Sequence, residues 1–99
     1  MITEKTKKEF EEFYGMYSTS LFGAYSVANN LIKEAMKEVD YIEVDGEENG
    51  LFSSAVIEYI TGISKVDGEL YIKTINECRP LYILNPGEIL ELAYYLISK

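Results

Sequence analysis

Residues 36–45, MKEVDYIEVD, contain the change of period that decides the fold of this chain. Before this stretch, apolar residues recur every three or four positions, which is the spacing of one face of an α-helix. Within it, apolar and polar residues begin to alternate, which predicts a short half-buried strand. Helical material followed by strands is typical of an α+β fold. The alternation puts Ile42 and Val44 on one face and Tyr41, Glu43 and Asp45 on the other.

The helical spacing covers residues 10–39 and is weakest near its middle. Gly15 and Gly23 are poor helix formers, and Ser18 or Ser20 between them could serve as the N-cap of a new helix. We therefore predict two helices with a break between Gly15 and Gly23. One long helix is the alternative.

After residue 45, turn signals and β-rich runs follow one another. The dipeptide Asp67-Gly68 predicts a two-residue hairpin, and Arg79-Pro80 predicts an interruption of the sheet. Residues 52–63 also fit the helical period, so a helix is the alternative there. The predicted segments are a strand at 41–45, a turn at 46–50, a strand at 52–65, a strand at 70–75 and a short edge strand at 81–84.

The C-terminal residues carry a strong helix-start signal. Asn85 is a suitable N-cap, Pro86 suits the first helical position, and Glu88 occupies the third position, as in a capping box. We predict an α+β fold with an N-terminal helix or helical pair, a three- to four-stranded antiparallel sheet and a C-terminal helix. The predicted organisation is a single domain, 1–99, with a helical part at 1–39, antiparallel strands at 40–84 and the last helix at 85–99.

The composition excludes several classes of function. Seventeen acids against nine basic residues give a net charge of −8, which argues against direct binding to nucleic acid or to anionic membranes. His is absent, and Cys78 and Arg79 are the single residues of their types, so the usual catalytic and metal-binding sets are missing. We expect a non-enzymatic protein without a cofactor. A lone Cys and the lack of an apolar leader or spanning run predict a cytoplasmic location.

Six acids and no basic residue lie within residues 38–48, which we call the acidic segment. This segment carries −6 of the net charge, and such a concentration of charge favours a partner protein with a basic surface. Carboxylates spaced along a strand approximate the phosphate spacing of a nucleic-acid strand, and a tyrosine ring can stand where a base would stack. The alternative is a solvated acidic stretch. The predicted partner-binding residues are Glu38, Asp40, Tyr41, Glu43, Asp45, Glu47 and Glu48.

Part of the acidic segment also matches the start of a calcium-binding loop. Counting from Asp45, the oxygen-bearing residues Glu47 and Asn49 and then Gly50 fall at the third, fifth and sixth positions of an EF-hand loop. The twelfth position is Val56, which cannot supply the bidentate carboxylate. A degenerate calcium-binding domain is therefore a weaker alternative, and we expect no metal.

In size, charge and lack of catalytic groups, the chain resembles small phage-encoded inhibitors, including anti-CRISPR and anti-restriction proteins. This resemblance implies an inhibitor that acts in a bacterial cytoplasm, and it assigns no role to any residue. A structural or regulatory homodimer is the alternative. The apolar residues of 10–39 form a stripe that is wide for a small sheet to cover, and apolar surface left uncovered would favour contact with a second copy. The predicted dimer face consists of Phe13, Tyr17, Leu21 and Phe22.

Overall fold

A computed structural model describes residues 2–14 and 21–98 of the chain. It confirms the α+β class, with helices before and after an antiparallel sheet. The elements in chain order are α1 Glu4–Tyr14, α2 Leu21–Ala35, β1 Tyr41–Glu43, α3 Gly46–Asn49, β2 Phe52–Ser53, β3 Glu58–Val66, β4 Glu69–Thr74, β5 Cys78–Pro80, a 3-10 helix at Leu81–Ile83, and α4 Pro86–Ser98.

The helices α1 and α2 form an antiparallel pair. The backbone N–H of Thr3 donates to Glu34 Oε1 at 2.6 Å, and the Thr6 hydroxyl donates to Glu34 Oε2. Because Thr3 and Thr6 lie at the start of α1 and Glu34 lies at the end of α2, the chain reverses direction between them. The alternative of one long helix is therefore wrong, while the predicted caps Ser18 and Ser20 lie outside the described residues.

The sheet has the strand order β1-β3-β4-β5, and all its pairs are antiparallel. Strand β2 pairs with the first residues of β3. The predicted hairpin at Asp67-Gly68 is confirmed, because both residues have positive φ, 52° and 80°, as a type I′ turn requires. Ile42, Ile63 and Ile72 are register partners across β1, β3 and β4 and form one apolar row.

Helix α4 begins as predicted, since Glu88 N–H donates to Asn85 Oδ1 at 2.9 Å and Asn85 N–H donates to Glu88 Oε1 at 3.1 Å.

The helices and the sheet bury one hydrophobic core between them. The opposite, outer face of the sheet carries exposed side chains such as those of Tyr41, Tyr59 and Lys73. The largest fully buried side chains are Phe10, Leu31, Ile32, Met36, Ile60, Ile63, Ile72, Ile89 and Leu92.

The predicted turn at 46–50 is a short helix instead. Asp45 caps α3 by accepting a hydrogen bond from the Glu48 N–H, and Gly50 ends it at φ 70°. Glu47 and Glu48 lie in its first turn, where carboxylates are favoured by the exposed N–H groups. Asp45 and Gly50 therefore mark the two ends of one helical turn.

The predicted strand at 52–65 is divided by a turn. Residues 54–57 separate β2 from β3, and the Ile57 N–H donates to the Ser53 carbonyl at 2.7 Å. This arrangement places Phe52 opposite Tyr59 in an antiparallel pair. The helical alternative for residues 52–63 is wrong, because β3 runs from Glu58 to Val66.

The predicted edge strand at 81–84 is wrong by a few residues. The edge strand is β5, Cys78–Pro80, and Leu81–Ile83 form a 3-10 helix. Pro80 is tolerated because an edge strand has N–H groups that need no partner within the sheet. Leu81 and Leu84 are both buried, which matches the three-residue period of a 3-10 helix and not the alternation of a strand.

Candidate partner-binding site

The acidic segment follows one edge of the sheet. Glu38 and Asp40 lie in the connection after α2, Tyr41 and Glu43 lie on the edge strand β1, and the remaining predicted residues lie at α3. The backbone of this edge is bound to β3, since Lys65 N–H donates to the Asp40 carbonyl at 2.9 Å and Val44 N–H donates to the Thr61 carbonyl at 3.0 Å. All six carboxylate side chains of the segment are exposed.

The alternation predicted for β1 determines which side chains face outward. Val44 is buried and Ile42 is half-buried beside Ile63, so Tyr41 and Glu43 project from the other face. The strand ends at Glu43, however, and Glu47 and Glu48 project from a helix. The carboxylates therefore follow a strand, as expected, only at the start of the segment, and after Asp45 they follow the helix α3.

Tyr41 lies across Gly62 on the outer face. Its hydroxyl donates to the Thr61 carbonyl at 3.2 Å, and a Cβ at position 62 would lie 2.3 Å from the Tyr41 hydroxyl oxygen. Tyr41 nevertheless remains 47% exposed. The ring is thus fixed in position while about half of the residue faces solvent. Gly62 lies inside a predicted strand, where a glycine can indicate such a close approach, although we did not predict it from the sequence.

Asp45 serves the fold as well as the surface. Its Oδ1 accepts from Glu48 N–H at 3.3 Å, its carbonyl accepts from the Asn49 side-chain amide at 2.8 Å, and its N–H donates to the Tyr95 hydroxyl at 3.4 Å. A substitution of Asp45 would therefore remove a helix cap together with a charge. The other five carboxylates of the segment have no such role in the part of the chain that is described.

The charge of the acidic segment is not neutralised within the described structure. Across residues 2–14 and 21–98 the ion pair present is Arg79–Glu77, at 3.1 Å, and it lies on and beside β5. Lys65, on the strand that pairs with β1, donates to the carbonyls of Met36 and Lys37 and not to a carboxylate. The segment therefore presents its negative charge to solvent.

The calcium alternative gains no support from this geometry. Two of its proposed ligands have partners within α3, because Asp45 caps the helix and the Asn49 side-chain amide donates to the Asp45 carbonyl. In the residues that can be described, no group of three or more His, Cys, Asp or Glu side chains is placed to hold a metal ion.

None of the described helices is long and apolar enough to cross a bilayer.

The predicted dimer face is only partly visible. Phe13 is half-buried on α1, Leu21 and Phe22 begin α2, and Tyr17 lies outside the described residues. The neighbouring Tyr14 makes contacts within the molecule: its ring stacks on Tyr94 at a centroid distance of 4.8 Å, and its hydroxyl donates to Glu91 at 2.8 Å. The hydrogen bond to the Glu91 carboxylate, together with burial, raises the pKa of Tyr14 to about 12. Part of the apolar stripe is therefore used to join α1 to α4, and the dimer stays a prediction.

A second surface feature lies beside the acidic segment and was not predicted. Phe52, Ile57, Tyr59 and Ile75 are large, exposed and close to one another at one end of the sheet, and we call them the apolar corner. Together with Asp45, Glu47 and Glu58 they line a cleft of about 400 Å³. No sequence period connects these four residues, because they come from two strands and two turns.

Comparison with known proteins supplies no relative from which a function could be transferred. No protein-family model matches this chain, and neither the curated proteins nor the solved structures contain a match to it.

Proposed function

We propose that this protein acts by binding and not by catalysis, and that the acidic segment docks on a basic surface of a partner protein. The observation that carries the proposal is the set of six exposed carboxylates within residues 38–48, without an ion pair in the described part of the chain. Concentrated charge of one sign is relieved when Lys and Arg side chains of a partner approach it. Such complementarity also speeds association and selects against other acidic partners.

The proposed basic surface is one that the partner otherwise uses for nucleic acid. Proteins bind phosphates largely through Lys and Arg, so an acidic protein can occupy the same groove. The fixed ring of Tyr41, with Glu43 two positions further along the same face, supports this form of the proposal. In this form the protein is an inhibitor that excludes nucleic acid from its partner, in the manner of phage-encoded anti-CRISPR and anti-restriction proteins.

The proposal includes a cytoplasmic location, which would be the bacterial host's cytoplasm for a phage-encoded protein. Cys78 supports it, because this single cysteine is a free thiol at an exposed position. Exposed free thiols persist in reducing compartments.

The test compares three immobilised proteins: the native chain, a segment variant and a control variant. The segment variant keeps Asp45 because of its capping role. Each variant loses four carboxylates, so both have the same net charge, four units less negative than the native −8. The segment variant carries Asp40→Asn, Glu43→Gln, Glu47→Gln and Glu48→Gln, and the control carries Glu9→Gln, Glu11→Gln, Glu12→Gln and Glu69→Gln, all at exposed positions.

Each protein is used to capture partners from a bacterial lysate, with and without excess competitor DNA and RNA, and the captured proteins are identified by mass spectrometry. Circular dichroism and a thermal melt establish that both variants are folded. The proposal predicts a nucleic-acid-binding protein that the native chain and the control recover, that the segment variant loses, and that the competitor displaces. Equal recovery by all three proteins would show that the acidic segment is only a solvated surface.

A further inference from the structure

The apolar corner combines a pair of aromatic rings with two aliphatic side chains that are more exposed than the rings. The rings of Phe52 and Tyr59 meet edge to face at a centroid distance of 5.2 Å, across the β2–β3 pair. Ile57 lies in the turn before β3 and is 75% exposed. Ile75 lies directly after β4 and is 82% exposed. Large aliphatic side chains exposed to this degree gain little from folding, since burial of their area is the source of their stabilisation.

Hydrogen bonds connect the first residue of β3 to the end of β4 and the turn after it. The Glu58 carboxylate accepts from the Thr74 hydroxyl and from the side-chain amide of Asn76. These hydrogen bonds, that from Thr74 first, lower the pKa of Glu58, so this carboxyl is ionised at neutral pH. Because Ile75 lies between Thr74 and Asn76, Glu58 fixes the backbone on both sides of it. The corner is therefore arranged before any partner arrives, which lowers the entropic cost of binding.

Ile57 is held in a backbone conformation that its side chain disfavours. Its φ is 57°, in the left-handed region, where a β-branched residue is an outlier and glycine or asparagine is preferred. Folding alone would therefore be served better by asparagine or glycine at this position than by an exposed isoleucine. The side chain supplies apolar surface next to the cleft, and such strain is often associated with a functional position.

Charge decides what kind of occupant fits this corner. Asp45, Glu47 and Glu58 share the cleft with the four apolar side chains. A second copy of this chain would bring a net charge of −8 to these three carboxylates and would be repelled. A partner segment that combines an apolar side chain with Lys or Arg complements both the apolar side chains and the carboxylates of the cleft.

We propose that the apolar corner receives a bulky aliphatic or aromatic side chain from a basic segment of the partner protein, with Lys or Arg flanking that side chain. This inference rests on the proposed function, to which it adds an anchor beside the acidic segment. Interfaces of this kind concentrate binding energy in a central apolar contact surrounded by polar pairs. The partner is then recognised by a short protein motif and not by charge alone.

The probe is a random dodecapeptide library displayed on phage and selected on the immobilised native protein. The affinities of the most enriched peptides are then measured by fluorescence anisotropy for the native chain and two variants. The corner variant carries Ile57→Asn and Ile75→Asn. The control carries Val66→Thr and Tyr82→Ser, which change two other exposed apolar residues, on β3 and in the 3-10 helix.

The expected result is a consensus with a bulky apolar residue next to Lys or Arg, and a loss of about tenfold or more in affinity with the corner variant only. The inference is overturned if no peptide is enriched, if the consensus lacks either the basic or the apolar residues, or if the corner variant binds as tightly as the native chain.

The same corner variant is also used in the lysate capture, which separates this inference from the proposed function. If the corner variant recovers the partner normally while the segment variant does not, the anchor fails and the proposed function stands. If peptides bind the corner but lysate recovery is the same for the native chain and the segment variant, the proposed function fails and the corner remains a binding site.

Discussion

Residue 57 is an isoleucine where the backbone favours asparagine or glycine. The left-handed conformation costs an L-residue roughly 1–2 kcal/mol, and Ile57 recovers little of this by burial because it is 75% exposed. We expect Ile57→Asn to raise the free energy of unfolding by about 1 kcal/mol, measured by urea denaturation. The matched control is Ile75→Asn, an equally polar change at an exposed position without positive φ, which should give no gain. A fall in stability with Ile57→Asn would contradict the assignment of strain to this residue.

Gly62 and Tyr41 form a second pair whose coupling can be measured. A methyl group at position 62 would overlap the Tyr41 ring and displace it, so Gly62→Ala should lower stability by about 1 kcal/mol, the low end of the cost of overpacking. In a Tyr41→Ala background the same substitution meets no ring and should cost much less. Urea denaturation of the two single variants and the double variant gives the coupling energy. Additive effects would show that the ring does not lie across the glycine.

Among the elements, α1 and α2 share the hydrophobic core and are also joined by hydrogen bonds to one carboxylate, that of Glu34. The hydrogen bond from the Thr6 hydroxyl, followed by that from the Thr3 N–H, lowers the pKa of Glu34 below its ordinary 4.5. Because the folded pKa is the lower one, the contribution of Glu34 to stability is present above pH 4.5 and is lost as the pH falls through the folded pKa. We expect Glu34→Gln to lower the thermal midpoint at neutral pH, with a difference from the native chain that shrinks in acid. Glu12→Gln, at an exposed position of α1, is the control and should show no such pH dependence.

The elements that the sequence predicted correctly are those fixed by a few neighbouring residues. Asn85 and Glu88 satisfy each other's backbone N–H groups, and Asp67-Gly68 has the conformations that a two-residue hairpin requires. The 3-10 helix at Leu81–Ile83 was missed because its conformation depends on the burial of Leu81 and Leu84 in the core. That burial is a tertiary contact, which the local sequence does not specify. The division of the 52–65 run was missed for a similar reason, since a strained Ile57 contradicts the local preference of its own residue type.

At the scale of the whole molecule, the two parts of the proposed binding surface differ in how far the sequence predicts them. The acidic segment is continuous in the chain, and the alternation around Ile42 and Val44 predicted that Tyr41 and Glu43 face outward. Glu47 and Glu48 lie on a helix that the alternation did not predict. The apolar corner unites Phe52, Ile57 and Ile75, which only the pairing of β2, β3 and β4 brings together. No local period could have predicted it.

The homodimer prediction also belongs to the whole molecule. A dimer built on the apolar stripe should have a mass that does not change with salt and should dissociate with Leu21→Asp, because apolar contacts are not screened by ions. Sedimentation of the native chain at micromolar concentration measures this directly. A monomeric mass would contradict the predicted dimer face.

Lysate capture with the native chain, the segment variant and the control variant tests whether the acidic segment excludes nucleic acid from a basic partner. The native chain and the control variant should recover a nucleic-acid-binding protein that competitor DNA or RNA displaces, and this recovery should fall as the salt concentration rises. The segment variant should recover none of this protein. Recovery of the same proteins by the native chain and both variants, with no effect of competitor, would overturn the proposed function.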